Sequence, residues 1–91
     1  MPWRVEFTPN GARQFKKLER PVREAIANGL KRLIAELEAD APTLTNVKKL
    51  VGGEQWRLRI GDYRVVFQSA PSVLFVTVIR VGHRRDIYRE R

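Results

Sequence analysis

The sequence predicts an α+β fold of order β-α-α-β-β-β, an antiparallel sheet with an αα-hairpin packed on one face. Three observations predict it. Apolar and charged residues alternate over residues 3–8, apolar spacing turns helical between Ala12 and Ala39, and the period of two returns in three segments after Gly53.

Trp3, Val5 and Phe7 alternate with Arg4 and Glu6, which is the pattern of a half-buried first strand over residues 3–8. Thr8-Pro9-Asn10-Gly11 ends that strand. Thr8 suits an N-cap and Pro9 the first helical position, where the missing N–H of proline costs nothing. A short helix to about Leu18 then sets Ala12, Phe15 and Leu18 on one face. Glu19-Arg20-Pro21 interrupts it, and a longer helix is expected over residues 21–39. There Val22, Ile26, Leu30, Leu33, Ile34 and Leu37 form one apolar stripe. The connection is too short for anything but an αα-hairpin.

Residues 40–46, with Pro42, read as a loop, and residues 47–53 carry Lys48, Lys49 and two glycines. Strands follow over residues 54–60, 63–69 and 73–81. Gly61-Asp62, glycine first, is the loop of a type II′ hairpin. Ala70-Pro71-Ser72 closes a second hairpin, and residues 82–91 form a basic tail, extended or ending in a helical turn.

Ninety-one residues suit one domain spanning 1–91, given roughly 100 to 200 residues per domain. With no cysteine and one histidine, disulfide frameworks, thiol nucleophiles and zinc-finger ligand sets are excluded. No apolar run approaches the ~20 residues of a membrane span and no signal-peptide core opens the chain, so a cytoplasmic protein with no membrane partner is expected. The formal charge is +8, and thirteen of the eighteen cations are Arg, whose planar fork matches phosphate oxygens two at a time. Residues 1–47 hold eight basic and six acidic groups, residues 48–91 ten and four. The second half is therefore the expected contact surface for a polyanion.

A Gly61-Asp62 loop fixes the pairing of its strands: Ile60 opposes Tyr63, Arg59 opposes Arg64, Leu58 opposes Val65, Arg57 opposes Val66 and Trp56 opposes Phe67. One face then carries Trp56, Leu58, Ile60, Tyr63, Val65 and Phe67 and must meet the helices. The other carries Gln55, Arg57, Arg59, Arg64, Val66 and Gln68. Like charges directly opposite on a sheet cost a few tenths to about 1 kcal/mol, so Arg59 facing Arg64 points to an anion on that face. Solvated arginines screened by salt are the bland alternative. Lys48, Lys49, Arg80, Arg84 and Arg85 are placed to border the same surface. In the last strand Leu74, Val76, Val78 and Arg80 are expected to share the cationic face, with Val73, Phe75, Thr77, Ile79 and Val81 on the other.

Trp56-Arg57-Leu58-Arg59-Ile60-Gly61-Asp62-Tyr63-Arg64-Val65-Val66-Phe67, with Val81-Gly82-His83-Arg84-Arg85-Asp86-Ile87-Tyr88-Arg89, resembles the signature of the RelE/ParE toxin superfamily. The resemblance covers nearly the whole chain and implies the RelE-like microbial ribonuclease fold. It also implies a toxin of a type II toxin–antitoxin system. In its RelE-like branch such a toxin is a ribosome-dependent mRNA endoribonuclease that uses the ribose 2′-hydroxyl against the adjacent phosphate and inhibits translation. Its ParE-like branch lacks the nuclease residues and inhibits gyrase. The partners implied are a cognate antitoxin with an acidic or amphipathic segment, held in a hetero-oligomer, together with the ribosome and mRNA.

Cleavage of this kind needs a base, an acid and positive charge at the phosphorane, with no metal or other cofactor. Arg57 and Arg59 match family positions that are usually lysine. A guanidinium is a poor proton acceptor and a good phosphate clamp, so Arg57, Arg59 and Arg64 are expected to stabilise charge. His83 is the one side chain suited to both accept and donate a proton near neutrality, and is the expected acid or base. Its plain alternative is a surface polar residue. The resemblance makes Arg84 a phosphate stabiliser or leaving-group acid and Arg85 its nearby substitute. It makes Tyr88 a base-stacking or proton-assisting ring, against a plain role as an aromatic pin. Lys48, Lys49, Arg80 and Arg85 are the expected RNA-binding cations. Asp86 is expected to orient Arg84 or Arg85, and Asp62 to serve the turn.

Overall fold

The computed structural model describes residues 3–39, 44–50 and 52–89, and for Tyr88 and Arg89 the backbone alone. The elements run β1 (Arg4–Phe7), α1 (Pro9–Lys16), α2 (Arg20–Glu38), β2 (Val47–Lys49), β3 (Gln55–Ile60), β4 (Tyr63–Ala70), a 3₁₀ turn (Pro71–Val73), β5 (Phe75–His83) and α3 (Arg84–Arg89). Of the expected loop at residues 40–46, residues 40–43, with Pro42, lie outside the described residues. The sheet order is β1-β5-β4-β3-β2.

Hydrophobic burial ties the layers together. Ile26, Leu30 and Leu33 of the predicted stripe meet Leu58, Val65, Phe67, Val76, Val78 and Val81 in one core. Trp56 and Tyr63 pack half-buried against that core, as expected for residues on the apolar face of the hairpin. The β3–β4 register matches the expected one at every pair from Trp56–Phe67 to Ile60–Tyr63. Gly61 has φ of +59° and Asp62 has no positive φ, which is what a type II′ loop requires of its two residues.

Four features differ from expectation. The sheet is antiparallel except at one edge, where β1 runs parallel to β5. The helical hairpin and three strands intervene, giving the chain the long crossover a parallel pair needs. Residues 47–49, expected only as an approach, form a three-residue edge strand on β3. The last strand begins at Phe75, because Pro71–Val73 closes a turn that ends on Leu74 with φ of +53°. Finally, the β4–β5 register slips between Val66 and Phe67: Val66 pairs with Arg80 but Phe67 with Val78, leaving Ile79 extra. A bulge of this kind changes the side-chain phase of its strand. Val76 and Val78 therefore enter the core, and of the expected set Arg80 stays with the cationic face.

α1 closes the part of β5 that β1 does not reach. Thr8 accepts the Gly11 N–H at 3.0 Å as N-cap and donates its hydroxyl to the Ile79 carbonyl at 3.2 Å. Gln14 Oε1 accepts the Val81 N–H at 2.8 Å. Gly11 permits this approach, since a Cβ there would sit 2.7 Å from the Val78 carbonyl oxygen.

Candidate nucleic-acid interface

Strand alternation and the observed registers build the site row by row. Lys48 pairs with Arg57, Arg57 with Val66, and Val66 with Arg80, so one row crosses four strands and carries three cations. At ~4.8 Å per strand it spans about 14 Å. In the next row Arg59 faces Arg64, which faces Gly82. The β3–β4 stretch of this face is the one turned away from the helical hairpin, as expected.

Each guanidinium of the second row is held by neutral oxygen. Arg59 Nη2 donates to Asn46 Oδ1 at 3.2 Å. Arg64 Nη1 donates to the carbonyls of Gly61 at 2.9 Å and Tyr63 at 3.0 Å, and the residue is only 8% exposed. Arg64 is thus on the expected face but not on an open wall. It is folded against its own hairpin, where two carbonyls repay its desolvation. Asn46, Val47, Lys48, Arg57, Arg59 and Arg64 line a shallow depression of about 330 Å³, with no carboxylate among these described lining residues. A low, cationic concavity of this kind focuses field on a polyanion.

Lys49 does not join it. The alternation of β2 pairs Lys49 with Trp56 on the opposite face, and its ammonium stands 5.8 Å from the Trp56 ring centroid. A pair of adjacent lysines in a strand must divide between faces.

His83 does not reach the guanidinium floor either. It pairs with Tyr63, on the helix side, with the two rings edge to face at 5.4 Å. Its Nδ1 accepts the Arg85 backbone N–H at 3.2 Å, so the imidazole caps the first turn of α3. In the neutral ring that bond assigns the proton to Nε2, leaving a donor and no free acceptor. His83 thus stands on the face opposite Arg57, Arg59 and Arg64, with its Nδ1 engaged by Arg85.

The turn into α3 returns to the cationic side. Gly82 shares the row of Arg64, and a Cβ built on it would meet Ile87 Cγ1 and Cδ1 at 3.7 Å, with Ile87 5% exposed. Ile87 of α3 thus packs beside Gly82 at the end of that row. Arg84 donates its backbone N–H to the Asp62 carbonyl at 2.8 Å and sets Nε 3.9 Å from the Asp62 carboxylate, both side chains being exposed. Asp62, rather than Asp86, is therefore the neighbour of Arg84. Arg85 is exposed on α3, and the Tyr88 ring lies outside the described residues.

The sequence reading missed Asn46, Gly82 and Ile87. An asparagine just ahead of a strand and a glycine in line with two arginines were the available signals. Among the described residues no helix is long and apolar enough to cross a membrane.

Residues 5–88 match the family described as ParE toxin of type II toxin–antitoxin system, parDE. A curated RelE-like toxin protein of Escherichia coli is 24% identical over 90 residues, 97% of this chain and 92% of the relative. The structure of the RelBE2 toxin–antitoxin complex from Mycobacterium tuberculosis is similar at a TM-score of 0.76 and 25% identity, covering 92% of this chain and 100% of that one. The intact E. coli RelBE toxin–antitoxin complex gives 0.65 and 30%, covering 91% and 96%.

Proposed function

The chain belongs to the RelE/ParE toxin superfamily of type II toxin–antitoxin systems, and from that membership we propose that it is a ribosome-dependent mRNA endoribonuclease inhibited by a cognate antitoxin. The supporting observation is the gathering of cations on one face of the sheet: Lys48, Arg57 and Arg80 in one row, Arg59 beside them, and Arg84 at the hairpin's end next to Asp62.

The reaction is transfer within the substrate. The ribose O2′ attacks the adjacent phosphorus and loses its proton, the P–O5′ bond breaks, and O5′ takes up a proton. The products are a 2′,3′-cyclic phosphate and a free 5′-hydroxyl. Charge accumulates on the phosphorane oxygens, where preorganised guanidinium groups stabilise the transition state more than the substrate. Arg57 and Arg59 take that role, Lys48 and Arg80 hold the flanking backbone, and Arg84 is assigned to the departing oxygen. Arg64 keeps the hairpin in shape beneath them.

In a cell-free translation reaction, primer extension should reveal cuts in ribosome-bound message, and a folded Arg57→Gln/Arg59→Gln variant should leave the message whole. Undiminished cutting by that variant would overturn the assignment. The ParE family match sustains a second reading, a gyrase inhibitor. Loss of DNA supercoiling by gyrase, with message intact, would select it.

A further inference from the structure

We propose that Asn46 is a positioning residue of the guanidinium floor, holding Arg59 where it meets the phosphate. The inference rests on reading this floor as the polynucleotide site.

Asn46 has φ of +60°, one of two non-glycine residues with positive φ among those described. Asparagine tolerates this left-handed region better than other side chains do. The conformation has a consequence. The Asn46 carbonyl takes the Arg59 N–H at 2.8 Å, a last rung on the β2–β3 ladder, while its amide Oδ1 takes Arg59 Nη2 at 3.2 Å. One residue thus grips both the backbone and the guanidinium of Arg59.

Asn46 is itself anchored from behind. Thr45 N–H donates to Glu36 Oε1 at 3.2 Å and Thr45 Oγ1 to Glu36 Oε2 at 2.7 Å, tying the segment to α2. A chain of contacts runs from the helical layer through Thr45 and Asn46 to a cation on the far side of the sheet. Holding the guanidinium this way lowers the rotamer freedom that Arg59 must lose on binding. Asn46 also lines the depression, and with Oδ1 engaged by Arg59 its amide has Nδ2–H donors left to offer. Donors there suit phosphate oxygens.

The variants are chosen to keep the fold. Glycine accepts positive φ more readily than asparagine, so Asn46→Gly removes the amide alone. Relaxation of the Arg59 Nε–Hε NMR signal, read without any ligand, should report a rigid side chain in the native protein and a mobile one in Asn46→Gly. An unchanged Arg59 signal overturns the proposal. For binding, the probe is a single-stranded oligoribonucleotide with one 2′-deoxy position to block cleavage. Asn46→Gly should weaken it about two- to tenfold, the worth of one hydrogen bond, and should add nothing once Arg59→Ala is present. Additive losses would also overturn the proposal, since they are what a merely structural role gives. Asn46→Asp should reduce the slope of log affinity against log salt by about 0.7, one phosphate contact on a single strand. Failure of the native protein to bind the oligonucleotide would refute the reading of this floor as a polynucleotide site by itself, while the NMR measurement still decides the positioning of Arg59.

Discussion

Arg59 and Arg64 face each other directly across the β3–β4 hairpin, and among the described residues each is held by uncharged oxygen, Asn46 Oδ1 for one and the carbonyls of Gly61 and Tyr63 for the other. The pair keeps its mutual repulsion, so the fold bears a cost that a neutral residue would relieve. Arg59→Gln should raise unfolding free energy by a few tenths to about 1 kcal/mol, as read from the urea midpoint. The same change should weaken oligoribonucleotide binding and reduce its salt slope by about 0.7. A variant that loses both stability and affinity would show that Arg59 is a structural residue.

Arg64 should behave in the opposite way. It is nearly buried and satisfies two carbonyls of its own turn. Arg64→Ala leaves those acceptors poorly solvated, and thermal or urea unfolding should show a loss of about 1–3 kcal/mol. Any lost message cleavage should follow the lost fold. A stable, inactive Arg64→Ala protein would instead return Arg64 to direct contact with the phosphate.

The hairpin was legible because a two-residue loop admits one register, and register dictates faces. Arg57, Arg59 and Arg64 share a side for that reason. The reading failed where local pattern stops determining phase. Leu74 to Arg80 alternates plausibly either way, and the extra residue at Ile79 depends on how Thr8 and β4 hold the strand. The three residues of β2 are too short for periodicity to reveal, which is why Lys48 and Lys49 were placed together. The face taken by His83 follows from the same bulge: a strand puts adjacent residues on opposite faces, so Gly82 takes the cationic side and the imidazole the other.

His83 gives a clean test of capping against catalysis. Asparagine is a good N-cap, so His83→Asn should match the native protein in melting temperature and cut message at a rate within about twofold of it. His83→Ala should lose about 0.5–1 kcal/mol of stability through the first turn of α3. A proton-transfer residue would behave differently, since its loss typically slows a reaction by about 10² to 10⁴. A drop of that size in a fully folded His83→Asn protein would make the imidazole a catalytic group despite its place beside Tyr63.

Lys48 and Lys49 are neighbours in sequence, and β2 sends them to opposite sides of the sheet. Lys48 joins the row of Arg57 and Arg80, whereas Lys49 stands over the Trp56 ring. Both substitutions remove one positive charge, so a long-range field effect alone would weaken polyanion binding about equally. Local contact predicts otherwise. Lys48→Ala should weaken oligoribonucleotide binding and lower its salt slope by about 0.7, with the melting temperature unchanged. Lys49→Ala should leave that slope intact and instead cost the fold about 0.5–1 kcal/mol, the worth of an exposed cation–π contact. Equal slopes for the two variants would mean that binding senses net charge and not the row of cations.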